Sequence, residues 1–133
     1  MRTQGRAVDA VLLTVIVVLT LSTAYIHYYV GGTMLMLNAI GYVTLTVAVV
    51  GSALFARRFL PLVLIALAGY AAVTILGWLV MGPYFSTAYL AKAIEIALIV
   101  TIAITLRRMR DETRAALMWL RQLPASARGG SGK

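Results

Sequence analysis

The sequence predicts an all-α membrane protein with four antiparallel transmembrane helices and a cytoplasmic amphipathic helical extension at its C-terminus. Of its 133 residues, 62% are hydrophobic and 12% are charged, against about 45–50% and about 25% in soluble domains. A chain of this size has too little interior to bury so much apolar surface, so part of that surface must face lipid. The apolar residues also fall into four runs of bilayer-spanning length, and the positive charges lie between alternate runs.

The four runs form a predicted transmembrane domain over residues 1–106. A helix needs about 20 apolar residues to cross a bilayer, and short breaks rich in glycine, proline or arginine separate the four runs that meet this length. The breaks are Gly31-Gly32, Arg57-Arg58 with Pro61 just beyond, and Gly82-Pro83. The predicted spans are 8–30, 33–55, 60–81 and 86–106. Because the connections are this short, consecutive helices must run antiparallel.

Residues 107–123 read as an amphipathic helix that follows the fourth span. Apolar residues such as Met109, Leu117 and Leu120 recur at helical spacing among arginines, which is typical of a helix with one apolar face. This helix is expected to lie on the membrane surface or to pack against a neighbouring subunit. Residues 124–133 have the glycine- and serine-rich composition of a flexible tail.

The basic residues predict the orientation of the chain in the membrane. Lysine and arginine outnumber aspartate and glutamate by 12 to 4, and those that flank the spans all belong to the same side. By the positive-inside rule that side is cytoplasmic and carries both termini. This placement explains the net charge without a nucleic-acid partner. The arginines of the predicted cytoplasmic rim are Arg57, Arg58, Arg107, Arg108 and Arg110.

Two charged residues fall inside the fourth span. Glu95 lies near its middle, and Lys92 precedes it by three residues, a spacing at which the two side chains can pair on one helix. A buried charge costs roughly 2.5–3.5 kcal/mol on insertion scales, whereas a Leu, Ile or Val returns only about 0.3–0.6. We therefore expect both side chains to face the other helices. The alternatives are a structural ion pair, a proton or substrate site, side chains that snorkel toward water, and a contact with another subunit.

Further polar residues recur every three or four positions in the outer half of the first three spans. They predict either a polar pocket that opens outward or ordinary hydrogen bonds between helices. Small residues also recur every fourth position on the fourth span, at Ala93, Ala97, Thr101 and Thr105, a pattern typical of close helix packing. The candidate pocket residues are Thr23, His27, Asn38, Tyr42, Tyr70 and Thr74.

His27 is the only histidine, and the chain has no cysteine. The absence of cysteine excludes disulfides, thiolate metal sites and thiol catalysis. His27 has three candidate roles: ligation of haem or a pigment, proton relay, and a hydrogen bond to Asn38 or Glu95. No further ligands stand at a recognisable spacing, and no nucleophile-base motif accompanies them, so we expect no metal, no cofactor and no enzyme activity.

Several short motifs resemble small four-helix membrane proteins of prokaryotes. They are the stretch from His27-Tyr28-Tyr29 through Gly31-Gly32-Thr33 to Asn38 and Gly41-Tyr42, then Gly82-Pro83-Tyr84, and Lys92-Ala93-Ile94-Glu95. The resemblance covers about residues 8–106 and implies a fold but no activity. It also implies a bacterial or archaeal plasma membrane as the location. Small multidrug-resistance transporters match in size and helix number, but they carry their essential glutamate in the first helix, where this chain has only Asp9 at the edge of the span.

We expect a small noncatalytic integral membrane protein that serves as an accessory subunit or a self-associating helical bundle. Its expected partners are the lipid bilayer and other transmembrane subunits or further copies of itself. One alternative is a proton- or cation-coupled transporter or channel that uses Glu95. Another is a carrier of haem, quinone, pigment or lipid near His27.

Overall fold

A computed structural model describes residues 2–82, 84–110, 114 and 117–122, and most of this length lies in four long helices. All four are long and apolar enough to cross a membrane, which confirms that part of the predicted fold class. They are α1 (Arg2–Val30), α2 (Thr33–Phe55), α3 (Leu60–Met81) and α4 (Ser86–Arg108). The first helix begins before the apolar run at residue 8, and the last continues past residue 106. Hydropathy marks where the lipid-facing surface ends, whereas backbone hydrogen bonding carries a helix further.

Glycine and proline set the connections between the helices. Gly31 and Gly32 have φ angles of 81° and 94°, and Gly82 has a φ of 69°. These are left-handed backbone conformations that residues with a Cβ rarely adopt. At the other end of the bundle, a 3-10 turn (Arg57–Phe59) joins α2 to α3, and Pro61 lies in the first turn of α3, where its missing N–H leaves no hydrogen bond unmade.

The helices form a ring in which each packs against two neighbours, in the order α1, α2, α3, α4 and back to α1. Two ends can be defined. The arginine end carries Arg57 and Arg108, and the glycine end carries Gly31, Gly32 and Gly82. Asp9, near the start of α1, lies 3.1 Å from Arg108 and 3.9 Å from Arg57. The start of α1 and the ends of α2 and α4 therefore meet at the arginine end, so neighbouring helices are antiparallel.

The core differs between the two halves of the bundle. Buried residues recur every three or four positions on each helix, the spacing of helices that pack at small crossing angles. In the arginine half the fully buried side chains are mainly aliphatic. Near mid-bundle they become polar, with Thr23, Tyr42 and Glu95 each fully buried. The aliphatic core residues are Ile16, Val49, Leu60, Leu64, Leu67, Leu98 and Ile102.

Part of the predicted C-terminal extension packs on the arginine end of the same chain. Arg114 and residues 117–122 are helical. The Trp119 ring contacts Phe59 edge-on at 5.6 Å between centroids, and the Arg58 guanidinium lies 4.7 Å above the Phe59 ring. Residues 111–113, 115–116 and 123–133, which include the predicted tail 124–133, lie outside the described residues.

Candidate polar site at the centre of the bundle

Glu95 is the central residue of a buried polar cluster. Its side chain is fully buried. One carboxylate oxygen, Oε1, accepts hydrogen bonds from the hydroxyls of Thr23 at 3.1 Å and Tyr42 at 3.0 Å. The other, Oε2, accepts from the Lys92 ammonium at 2.8 Å. Three donors, one of which is also the counter-ion, offset the cost of burying a carboxylate.

The donors to Glu95 come from several helices, so the carboxylate joins elements that are far apart in sequence. Thr23 lies on α1, Tyr42 on α2 and Lys92 on α4 beside Glu95 itself. Tyr42 reaches across the diagonal of the ring, and its hydroxyl also lies 2.9 Å from that of Thr74 on α3. All four helices therefore meet at one hydrogen-bonded network. We call Thr23, His27, Tyr42, Thr74, Lys92 and Glu95 the polar layer.

His27 closes the polar layer on the side of α1. Its Nδ1 lies 2.7 Å from the backbone oxygen of Thr23. Because a carbonyl only accepts, the hydrogen is on Nδ1. The other ring nitrogen, Nε2, faces Oε1 of Glu95 at 3.6 Å. Of the two partners considered from the sequence, His27 is close to Glu95, whereas the side chain of Asn38 lies against Tyr70.

Tyr70 and Asn38 tie α3 to α2 next to the polar layer. The Tyr70 hydroxyl lies 3.2 Å from the backbone oxygen of Asn38 and 3.3 Å from its side-chain oxygen. The Tyr70 ring packs edge-on against Tyr42 at 4.8 Å between centroids. Gly41 makes this possible, because a Cβ at that position would collide with the Tyr70 hydroxyl.

A cavity of about 450 Å³ extends from the polar layer to the glycine end, and all four helices line it. Its polar floor consists of His27, Asn38, Thr74 and Lys92. Its volume falls in the range of about 300–1,000 Å³ that is typical of small-molecule sites, which are also mostly apolar with a few polar groups. The apolar walls include Ile26, Val30, Met34, Trp78, Met81 and Phe85.

The cavity faces the cationic side of the ion pair. Lys92 lines it, whereas Glu95 lies beneath Lys92 and forms no part of the lining. The ammonium donates to Glu95 and, at 3.4 Å, to the backbone oxygen of Thr74. An ammonium has three donors. Within the described part of the chain these two contacts use two of them, so one N–H remains for the cavity.

The structure thus brings the two intramembrane charges and the six candidate pocket residues into one region and leaves the basic rim apart from it. At the arginine end, Arg57 and Arg108 face Asp9, and Arg58 packs on Phe59. The remaining rim residues, Arg107 and Arg110, are exposed.

Trp78 is a cavity residue that the sequence analysis did not single out. It follows Thr74 by four positions, and this spacing places both on one face of α3. Helical spacing was thus a usable signal for its place in the wall.

Neither the protein-family models, nor the curated proteins, nor the solved structures contain a match to this chain.

Proposed function

We propose that the chain is a small noncatalytic integral membrane protein, a helical bundle that packs against other transmembrane subunits or against copies of itself. The observation that supports this most directly is the small share of each span that is covered within the bundle. In a strongly apolar 18-residue stretch of each candidate span, only 22% to 33% of the residues are buried. Most of the apolar surface thus faces outward, where lipid or another helix covers it.

The outer face of α4 offers a surface suited to helix packing. Ala93 and Ala97 are exposed and Thr101 is half-buried, whereas Thr105 is buried in the bundle. The bundle therefore leaves the first part of this run of small residues uncovered. Small residues at that spacing let two helix backbones approach closely in a membrane. This pattern supports an association through α4.

The positive-inside rule supports an orientation for the bundle. The arginine end carries the rim charges, so we assign it to the cytoplasm together with both termini. The bacterial or archaeal plasma membrane is the corresponding location. In this orientation the cavity opens on the outer side.

A substitution on the outer face of α4 tests the proposed association. Ala97→Leu adds bulk to that face without touching the polar layer, and Ala66→Leu makes the same change at an exposed position of α3. In lipid nanodiscs or mild detergent, we expect cross-linking to detect self-association or a co-purified subunit. Ala97→Leu should reduce it and Ala66→Leu should not. If only monomer without a partner is found, or if both variants behave like the original chain, the association proposal is wrong.

The cavity favours a second candidate function, a carrier of a small amphiphilic molecule. An apolar cavity with a polar floor suits such a ligand. Both ring nitrogens of His27 face protein oxygens, which favours a lipid or quinone over a haem ligated by the imidazole. Mass spectrometry of molecules that co-purify in nanodiscs, with an absorption spectrum for coloured ones, tests the carrier. Recovery of empty protein from its native membrane, together with no binding of an added amphiphile, would contradict it.

Transport coupled to Glu95 has less support. Between Glu95 and the arginine end, the core is filled by fully buried aliphatic side chains such as Leu64, Leu98 and Ile102. Among the described residues, the cavity therefore reaches the carboxylate region from the glycine end. Flux through reconstituted protein that varies with pH and disappears in Glu95→Gln would favour transport over the two functions above.

A further inference from the structure

The polar groups that face the cavity are mainly hydrogen-bond donors. Lys92 has one N–H left over from its bonds to Glu95 and Thr74. The side-chain oxygen of Asn38 faces Tyr70, so its amide NH₂ supplies two more donors. Within the described residues, no hydrogen bond from that NH₂ is found, and Asn38 lines the cavity. A molecule that fits this floor must therefore bring acceptors.

The charge at the floor favours an anionic acceptor. Lys92 is 7% exposed, and it lies between the cavity and Glu95. The negative charge of Glu95 is already shared among Thr23, Tyr42 and Lys92, so the cavity meets the ammonium first. A carboxylate has two oxygens, and one can accept from Lys92 while the other accepts from Asn38. Such charge-assisted hydrogen bonds are roughly twice as strong as neutral ones.

The walls define the rest of the ligand. They are apolar, and Trp78 and Phe85 provide aromatic surface near the glycine end. Lys92 lies six residues into α4, counted from Ser86, which corresponds to a depth of about 9 Å at the helical rise. A short apolar body fills this depth while its carboxylate reaches the floor.

We propose that the cavity binds a small organic carboxylate with an apolar body, which enters from the glycine end and places its carboxylate on Lys92 and Asn38. This inference rests on the carrier function proposed above and names the chemical class of its ligand. The apolar body lies against Trp78. The experiment can therefore use that tryptophan as a local reporter.

The chain has two tryptophans, Trp78 and Trp119. Trp119 lies at the opposite end of the bundle, and its replacement leaves Trp78 as the only tryptophan. In a Trp119→Phe background held in nanodiscs, octanoate should change the Trp78 emission in a saturable manner. The alcohol 1-octanol has the same apolar body without the charge, and we expect it to bind about tenfold more weakly.

Two variants locate the carboxylate. Lys92→Met combined with Glu95→Gln removes both buried charges together, and we expect at least about tenfold weaker octanoate binding. Asn38→Ala removes the amide donors and should weaken octanoate binding severalfold. If the double variant fails to fold, Asn38→Ala by itself tests where the carboxylate binds. Thr44→Val is the control, because the Thr44 hydroxyl lies on the exposed face of α2 and bonds its own helix.

The outcomes separate the ligand class from the carrier function. If octanoate and 1-octanol bind equally and the floor variants change nothing, the cavity holds amphiphiles but the carboxylate assignment is wrong. If neither compound changes the Trp78 emission and no molecule co-purifies with the protein, the carrier function is wrong as well.

Discussion

Replacement of Glu95 by glutamine tests whether the ion pair holds the bundle together. Glutamine keeps one oxygen for the hydroxyls of Thr23 and Tyr42, but it turns an NH₂ group toward the Lys92 ammonium, which lies 2.8 Å from Oε2 in the native chain. Two donors then face each other, and the lysine loses its counter-ion. Removal of one partner of a buried pair costs about 3–5 kcal/mol. Since Lys92 also lines the cavity and can gain solvation there, we expect about 3 kcal/mol.

The free energy of unfolding in mixed micelles, measured by titration with a denaturing detergent, gives this magnitude directly. The control is Glu95→Gln combined with Lys92→Met, in which no charge is left unpaired, and we expect it to recover more than half of the loss. A single Glu95→Gln variant that unfolds within about 0.5 kcal/mol of the original chain would refute a structural role for the pair.

Three further substitutions probe other contacts. Tyr42→Phe removes the hydroxyl that crosses the bundle and should cost about 0.6–2 kcal/mol of unfolding free energy, as for other hydrogen bonds between membrane helices; a cost near zero would contradict its bridging role. Gly41→Ala should displace the Tyr70 hydroxyl and lower the thermal midpoint, whereas Gly69→Ala, whose Cβ meets no atom within 4 Å, should not; equal midpoints would contradict the close approach. Asp9→Asn should cost less than about 1 kcal/mol and more at low salt than at high salt, because this ion pair is partly exposed; a loss independent of salt would argue against an electrostatic contact.

The helices were predictable because hydropathy identifies the apolar runs that can face lipid, and because glycine and proline mark where these runs are interrupted. Gly31-Gly32, Pro61 and Gly82 interrupt the apolar runs. The bounds of α2 (Thr33–Phe55) and α3 (Leu60–Met81) coincide with the predicted spans. The start of α1 and the end of α4 were less predictable. The start of α1 at Arg2 lies beyond its apolar run, and there hydropathy gives no signal for the backbone.

The composition of the polar layer was predictable in part. Helical spacing groups Thr23 with His27 on α1 and places Lys92 beside Glu95 on α4. These two placements do not depend on how the helices pack against one another. The bond from Tyr42 to Glu95 across the diagonal depends on how α2 and α4 are rotated about their axes. That rotation arises from the packing of the whole bundle. For the same reason the sequence did not reveal that Ala93 and Ala97, which were expected in close packing, face away from the bundle.

The central claim is that the chain crosses a membrane four times with its arginine end on one side, and cysteine labelling in intact cells tests it most directly. The chain has no cysteine of its own, so single cysteines at Thr33, Ala56 and Ser86 report without background. A membrane-impermeant maleimide applied from outside should label Thr33→Cys and Ser86→Cys at the glycine end, and it should label Ala56→Cys only after the cells are opened. Equal labelling of all three positions from outside would contradict the four crossings.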